Sequence, residues 1–595
     1  MQEKMPDNIE TKGKPTAVEM LFKNMRFIEQ FAESVIDYTS KYNSIMSILY
    51  APENLIGKPT VYPNYGDFPD TYMLRSYGKW WNESEAAQHH YMSQDIDPII
   101  SEDYVTVKFE FSVIPTSISI YETYNPGAVV RLWGQSIHGQ WILLWEGAPQ
   151  RCVQAPRKFC PPIRQIRELI NEVRIDLNQS LLEYHTSLDG VLLAGYKPKS
   201  ILQTSLLQKG LLEPLEPRQS KRKHSRRYNE EDCDNLNLFA RLPYEVILHI
   251  FQYLDLRSLC RCAQVNKRWF LTSLDSALYR ELSLKRYWHK VNDATIIMFM
   301  AKCKNLKKLD LSWCGANNQI TEELFIEFLR KCCRNLTHLS LGNCNFVKEL
   351  SLEEIKNCSD LTGILVKECA KRKLLVYYFS ELRLRNSHCI AWKYSALAQL
   401  NKLTTLDLYS SNIIDEMLIK ILVTNPDLKH LIIDFCEHLE RLEQVTEVVA
   451  VYNHKLVTWS SWKTHSMTSI GVGNLACCSN LRELDVGWCL ILGEPGDCLE
   501  RIATGCKDLR RLIISGWRGV SDHLLLPIIR SCKQLTQLDL LGIKNISGDI
   551  CERVLASLPK LQLLDISFCD LVKIEQVMVW QEQYPNVVIQ SCPSD

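Results

Sequence analysis

Apolar positions change period along the chain. Val105, Val107, Phe109 and Phe111 alternate with Thr106, Lys108 and Glu110, the pattern of a strand with one wet face. The same reading predicts strands over 117–122, 128–133, 141–145, 173–177 and 191–194, with Tyr124-Asn125-Pro126-Gly127 as a turn between two of them. Short strands with few helices predict an all-β sandwich over 51–200. Upstream, residues 1–16 are polar and predicted disordered. Val18, Leu21, Met25, Ile28, Phe31, Val35 and Ile36 recur at helical spacing and predict a helical lead-in up to residue 50.

Residues 201–237 read as a polar linker, with a basic run at 221–227 that is either a solvated stretch or an import signal. A helical period then returns over 238–284. Leu242-Pro243 starts a helix, with Pro at the first helical position, and Val246, Ile247, Ile250, Phe251 and Leu254 follow at helical spacing on one face. Asp255 is placed to cap a second helix carrying Leu256, Leu259 and Cys260, and a third turn holds Val265, Trp269 and Phe270. A unit this small with this much apolar surface needs a partner.

From 285 to 595 one spacing returns. Leu306-x-x-Leu309-x-Leu311-x-x-Cys314 is followed by copies at Leu336, Leu361, Leu403, Leu428, Leu456, Leu481, Leu509, Leu535 and Leu561. Tyr279, Leu282 and Leu284 make a degenerate first copy. The step from Leu361 to Leu403 is irregular, either an insertion or a hidden copy at Phe379, Leu382 and Leu384. This is leucine-rich-repeat spacing of the Cys-containing type: a solenoid of short strands with helices on the outer side. Cys314, Cys344, Cys436, Cys489 and Cys569 sit at the turn after the strand, and Trp313, Phe435, Trp488 and Phe568 precede four of them, read mainly as packing between turns. Strand positions between the inward leucines face the concave side. In the later repeats these are Glu483, Asp485, Arg511, Ile513, Gln537, Asp539, Leu563 and Asp565, expected to be exposed, tolerant of substitution and substrate-facing. The Asp positions either read a basic partner segment or bond locally beside the strand, and both readings stand.

Bulk properties narrow the function. Lys plus Arg equals Asp plus Glu at 69 each, so charge gives no reason to expect nucleic acid. No apolar run is long enough for a spanning helix. The first residues carry neither a signal peptide nor a transit peptide, so the 23 cysteines are expected to be reduced thiols of an intracellular protein. No phosphate-binding Gly loop, zinc spacing or nucleophile elbow is present, so no catalytic residue, metal or cofactor is expected. Tyr62, Tyr65, Trp80 and Trp81 either line a mouth of the sandwich or fill its core.

The residues over 242–269 resemble an F-box: Leu-Pro-x-Glu, the Ile/Phe/Leu helix, Asp-Leu, then Val265 with Trp269. The segments around 63–82, 103–133 and 177–195 resemble a discoidin-like, galactose-binding-like jelly roll. The expected fold class is thus a multidomain α+β chain: N-terminal β-sandwich, three-helix F-box and C-terminal α/β leucine-rich-repeat solenoid. It resembles the F-box/leucine-rich-repeat family. The resemblance implies a non-catalytic substrate-recognition subunit of a Skp–cullin–F-box ubiquitin ligase, partnered by the Skp adaptor, cullin and RING subunit. Adaptor binding would fall to Leu242, Pro243, Glu245, Ile247, Ile250, Phe251, Leu254, Leu259, Val265 and Trp269. It also implies protein substrates such as mitochondrial outer-membrane mitophagy receptors, restraint of mitophagy, and residence in cytoplasm, on mitochondria or in the nucleus. The alternatives are a repeat scaffold or inhibitor without a ligase, and a carbohydrate- or lipid-binding protein acting through the sandwich.

Overall fold

Long-range pairing turns the lead-in predicted as helix into strand. Residues Met25–Phe31 (β1) and Ser34–Tyr38 (β2) are both extended. Of the seven β1 residues only Met25 is buried, and Phe27 is 49% exposed, so the apolar spacing marks no helical face. Ladder bonds to distant strands decide the conformation instead. The computed structural model describes residues 25–40, 42, 49–74, 79–85, 100–198, 242–315, 318–360, 380–387, 389, 391–489 and 495–592. Its contacts divide the chain into two units, residues 1–78 with 99–235, and residues 79–98 with 236–595. The polar start, the linker and the basic run at 221–227 lie outside the described residues.

The first unit is an antiparallel sheet built round one long strand. Its remaining strands are Tyr72–Met73 (β3), Asp103–Tyr124 (β4), Val129–Ser136 (β5), Trp141–Glu146 (β6), Arg157–Phe159 (β7), Ile170–Leu177 (β8) and Ser187–Pro198 (β9). The strands predicted over 105–111 and 117–122 are one, β4, which serves two ladders. Its first half pairs with β2 and β8, its second with β9 and β7. Val107, Phe109 and Ile175 from one ladder meet Ile118, Ile120 and Leu193 from the other in a single core. Asp189, buried, fixes a neighbouring loop by accepting hydrogen bonds from the amides of Val61 (2.9 Å) and Tyr62 (2.7 Å). Tyr62 then packs edge-on against Tyr121, and Tyr65 packs at a tilt against Tyr124. Trp80 and Trp81 belong to the second unit.

In the second unit a three-helix element, Tyr244–Phe251 (α1), Leu256–Cys262 (α2) and Lys267–Ser273 (α3), runs into a twelve-stranded parallel sheet. The strands are Glu281–Ser283 (β10), Lys308–Asp310 (β11), His338–Ser340 (β12), Glu381–Arg383 (β13), Thr405–Asp407 (β14) and His430–Ile432 (β15). Thr458–Ser460 (β16), Glu483–Asp485 (β17), Arg511–Ile513 (β18), Gln537–Asp539 (β19), Leu563–Asp565 (β20) and Val588–Gln590 (β21) complete it in strict chain order. The degenerate copy at Leu282 is the first rung. Leu339 pairs directly with Leu382, so the hidden copy at Leu382 is the rung after β12. The copy expected at Leu361, Ile364, Val366 and Cys369 falls within residues 361–379, which lie outside the described residues. The last rung, β21, follows the last predicted copy and was expected only as a short cap.

Two ladders beyond the strands hold the rungs at constant spacing. The residue two after the second inward position has positive φ on successive rungs: Trp313, Asn343, Asn386, Ser410, Phe435, Lys463, Trp488, Gly516, Gly542 and Phe568. In this left-handed turn the amide points along the stack, as from Trp313 to Gly342 O (2.8 Å) and Phe435 to Trp462 O (3.0 Å). The following cysteine thiol donates back to the preceding rung, Cys344 to Leu311 O at 3.0 Å, Cys436 to Leu408 O at 3.1 Å and Cys489 to Ser461 O at 3.0 Å. A small donor that is also apolar satisfies both the carbonyl and the dry interior. A second column runs through the helix ends, where Asn425 and Asn453 are fully buried and Asn453 Nδ2 donates to Asn425 O at 2.8 Å. Cys506 and Cys532 continue it.

Candidate functional site

The three-helix element has a core of its own. Ile247, Phe251, Leu256 and Leu259 are buried, and Phe251 meets Trp269 edge-to-face at 5.4 Å. Pro243 is the N-cap of α1 rather than its first helical residue. Asp255 caps α2 by accepting from the Ser258 amide, and Asn266 caps α3 by accepting from the Trp269 amide, each at 2.8 Å. Tyr244 donates to Asp275, tying α1 to the chain after α3; that bond pushes its phenol up to about 12.

What remains outside is apolar. Val246, Ile250 and Tyr253 stand at i, i+4 and i+7 on and just beyond α1, exposed by 40%, 37% and 68%. Val265, two residues before α3, and Phe270, midway along it, are also exposed. The single face read from the sequence is therefore two faces about 100° apart: 247 and 251 inward, 246 and 250 outward. Of the residues assigned to adaptor binding, Ile250, Val265, Pro243 and Glu245 are exposed, and Leu242, Leu254 and Trp269 are half-buried. Ile247, Phe251 and Leu259 are interior. Val246, Tyr253 and Phe270, which were not in that set, are exposed as well, and Val246 sits one turn before Ile250.

The second candidate is the concave face of the solenoid. Here the expectation of exposed, tolerant positions is wrong. Glu483, Asp485, Ile513, Gln537, Asp539, Leu563 and Asp565 are all buried, and the Arg511 side chain keeps only 11% exposure. The Asp positions bond locally. Oδ1 of Asp485, Asp539 and Asp565 accepts from the amide two residues on, in Gly487, Leu541 and Ser567, at 3.1, 3.1 and 2.9 Å. Asp310 and Asp407 do the same. These carboxylates pin the left-handed turn.

Polar groups on β16–β19 form a connected patch. Thr458 donates to Glu483 at 2.9 Å, Arg511 reaches Glu483 at 3.5 Å, and Arg511 Nε donates to Gln537 at 2.9 Å. Burial holds the neighbouring His430 imidazole below its usual range, so its neutral form faces Thr458 at 3.0 Å. Among the described residues no cluster of His, Cys, Asp or Glu has the arrangement of a metal site, and no helix is long and apolar enough to cross a membrane. The patch offers recognition chemistry: fixed donors and acceptors beside apolar Ile513 and Trp459.

Comparison with known proteins bears on the three helices and on the chain as a whole. A family model described as F-box-like matches residues 239–285, covering the three helices. F-box/LRR-repeat protein 4 of Bos taurus is 32% identical over 527 residues, spanning 83% of this chain and 80% of that protein. The chain belongs to the family of F-box/LRR-repeat protein 4. Among solved structures, the yeast Rad7–Elc1 complex matches 60% of this chain and 95% of its own at 17% identity, with a TM-score of 0.34. The family 32 carbohydrate-binding module of Streptococcus pneumoniae EndoD covers 27% of this chain at 8% identity and a TM-score of 0.19. In this family member the F-box-like helices and the repeat are one continuous element, since β10 starts eight residues after α3 ends and pairs in register with β11.

Proposed function

We propose that this protein is the substrate-recognition subunit of a Skp–cullin–F-box ubiquitin ligase. The observation that carries the proposal is the exposure of apolar Val246, Ile250, Tyr253, Val265 and Phe270 on a three-helix element continuous with the solenoid. Full burial of such a side chain is worth roughly 1.5–3 kcal/mol, and covering the exposed part of each contributes a fraction of that to holding an adaptor. The solenoid then presents a second protein at a fixed separation, and ubiquitin transfer gains from proximity rather than from acid, base or nucleophile on this chain. The family resemblance extends the proposal to mitochondrial outer-membrane mitophagy receptors as substrates and restraint of mitophagy as the outcome.

The test is recovery of the protein from cells with adaptor and cullin bound. Ile250→Asp with Val265→Asp changes exposed positions, so the chain should keep its unfolding temperature and lose both partners. Recovery of adaptor at the wild-type level would refute the docking face. If the adaptor is lost but mitophagy receptors do not accumulate, the ligase reading stands and the mitochondrial one fails.

A further inference from the structure

The concave patch already holds a piece of this chain. Lys79–Asn82 form one helical turn that belongs, with residues up to 98, to the solenoid unit. Trp81 and Ser84 lie against Trp459, Glu483, Asp485 and Ile513, and the space left between them is about 20 Å³, room for about one water. Trp80 and Ser84 are buried. The Glu85 amide donates to Glu483 at 2.9 Å, while the Glu85 carboxylate accepts from Arg482 at 2.8 Å and pairs with Arg510 at 3.5 Å. Glu483 is itself positioned by Thr458 and Arg511. The site thus has an apolar floor for an indole, a fixed acceptor for a backbone amide, and two guanidinium groups for a carboxylate four residues further on.

We propose that this face recognises protein segments of the form Trp-x-x-x-Glu, and that residues 81–85 are a resident copy of that ligand which an incoming segment displaces. The inference deepens the proposed function, and rests on it only in calling the incoming segment a substrate. A tethered occupant acts at an effective concentration on the order of 1 mM. If its own affinity is about 0.1 mM, it weakens a competing segment about eleven-fold (1 + 1 mM/0.1 mM). Selectivity follows: only segments that bind better than the resident copy, or arrive with further contacts, gain the face.

The test uses the full chain and a fluorescent peptide of residues 79–90, and needs neither adaptor nor substrate. Trp81→Ala with Glu85→Ala should empty the face and tighten peptide binding about ten-fold over wild type. Adding Arg482→Glu and Arg510→Glu should abolish the gain, as should Trp81→Ala within the peptide. Glu85→Arg alone, at a rim position that leaves the packing intact, should also raise peptide affinity. Equal binding to wild type and to both emptied variants, or no binding to any, overturns the proposal. Binding indifferent to the two Arg reversals does the same. Adaptor recovery with the Glu85→Arg chain stays at the wild-type level in every case, so failure here is separate from failure of the ligase reading.

Discussion

At the scale of single residues, the turn after each strand carries the most information. Ten successive rungs place a left-handed residue there, and for any residue with a Cβ this costs roughly 1–2 kcal/mol. Gly516 and Gly542 avoid the cost, which separates two substitutions that look alike. A Cβ at Gly542 meets nothing closer than 3.8 Å, whereas one at Gly516 falls 2.7 Å from the Trp488 ring. Gly542→Ala should therefore cost about 1–2 kcal/mol in denaturant unfolding, and Gly516→Ala about 1–3 kcal/mol more through overpacking. Equal losses would mean that the Trp488 ring moves aside freely.

The cysteines of the same turn give a pH prediction. Burial pushes Cys436 and Cys489 up to about 12, so the folded chain keeps these protons where the unfolded chain loses them near the ordinary thiol value of about 8.5. The unfolded state binds fewer protons above that value, so stability is full below it and falls as pH rises. Thermal unfolding should show a steep loss above about pH 9, which Cys436→Ala with Cys489→Ala lessens. Native labelling of both thiols should be slow, and rapid labelling would contradict their place in the stack.

At the scale of elements, the repeat was legible because its signal is a spacing, and a spacing survives substitution of any single copy. Leu282 was found as a degenerate rung for that reason, and of the two readings left open after Leu361 the pairing of Leu382 favours the hidden copy. The helical lead-in failed, since β1 and β2 are strands only because β9 and β4 lie ready to bond them. On α1 the period was right but the face was not: adjacent apolar residues at 246–247 and 250–251 serve two surfaces. This division makes Phe251→Ala and Ile250→Ala different experiments. Phe251→Ala should cost about 3–5 kcal/mol and loosen the three-helix element itself. Ile250→Ala should leave its unfolding within about 0.5 kcal/mol of wild type while weakening adaptor capture. If both act alike on stability, the two-face division is wrong.

At the scale of the whole molecule, the concave Asp row shows how far sequence reading reaches. Two meanings were open for it, and the hydrogen bonds to Gly487, Leu541 and Ser567 favour the local one. Reversing Asp485, Asp539 and Asp565 to Lys should consequently cost about 1–3 kcal/mol per orphaned amide and unfold the later rungs, seen as a lowered midpoint. A triple variant as stable as wild type would return those residues to the list of free recognition groups. The occupant of the patch was not legible, because the contact between Glu85 and Arg482 spans 397 residues and no local pattern announces it.

The direct pairing of Leu339 with Leu382 has a further consequence. Along the solenoid, separation is counted in rungs, each adding about 4.8 Å, so the sheet works as a ruler whose graduations are strands rather than residues. From β10, beside the docking helices, to β17, where Glu85 is held, are seven graduations, roughly 34 Å at that spacing. The chain between β12 and β13 lengthens without adding a mark. Peptide can be spliced there or removed while the reach of the molecule stays the same, whereas gain or loss of one complete rung would reset it for every partner held at the far end.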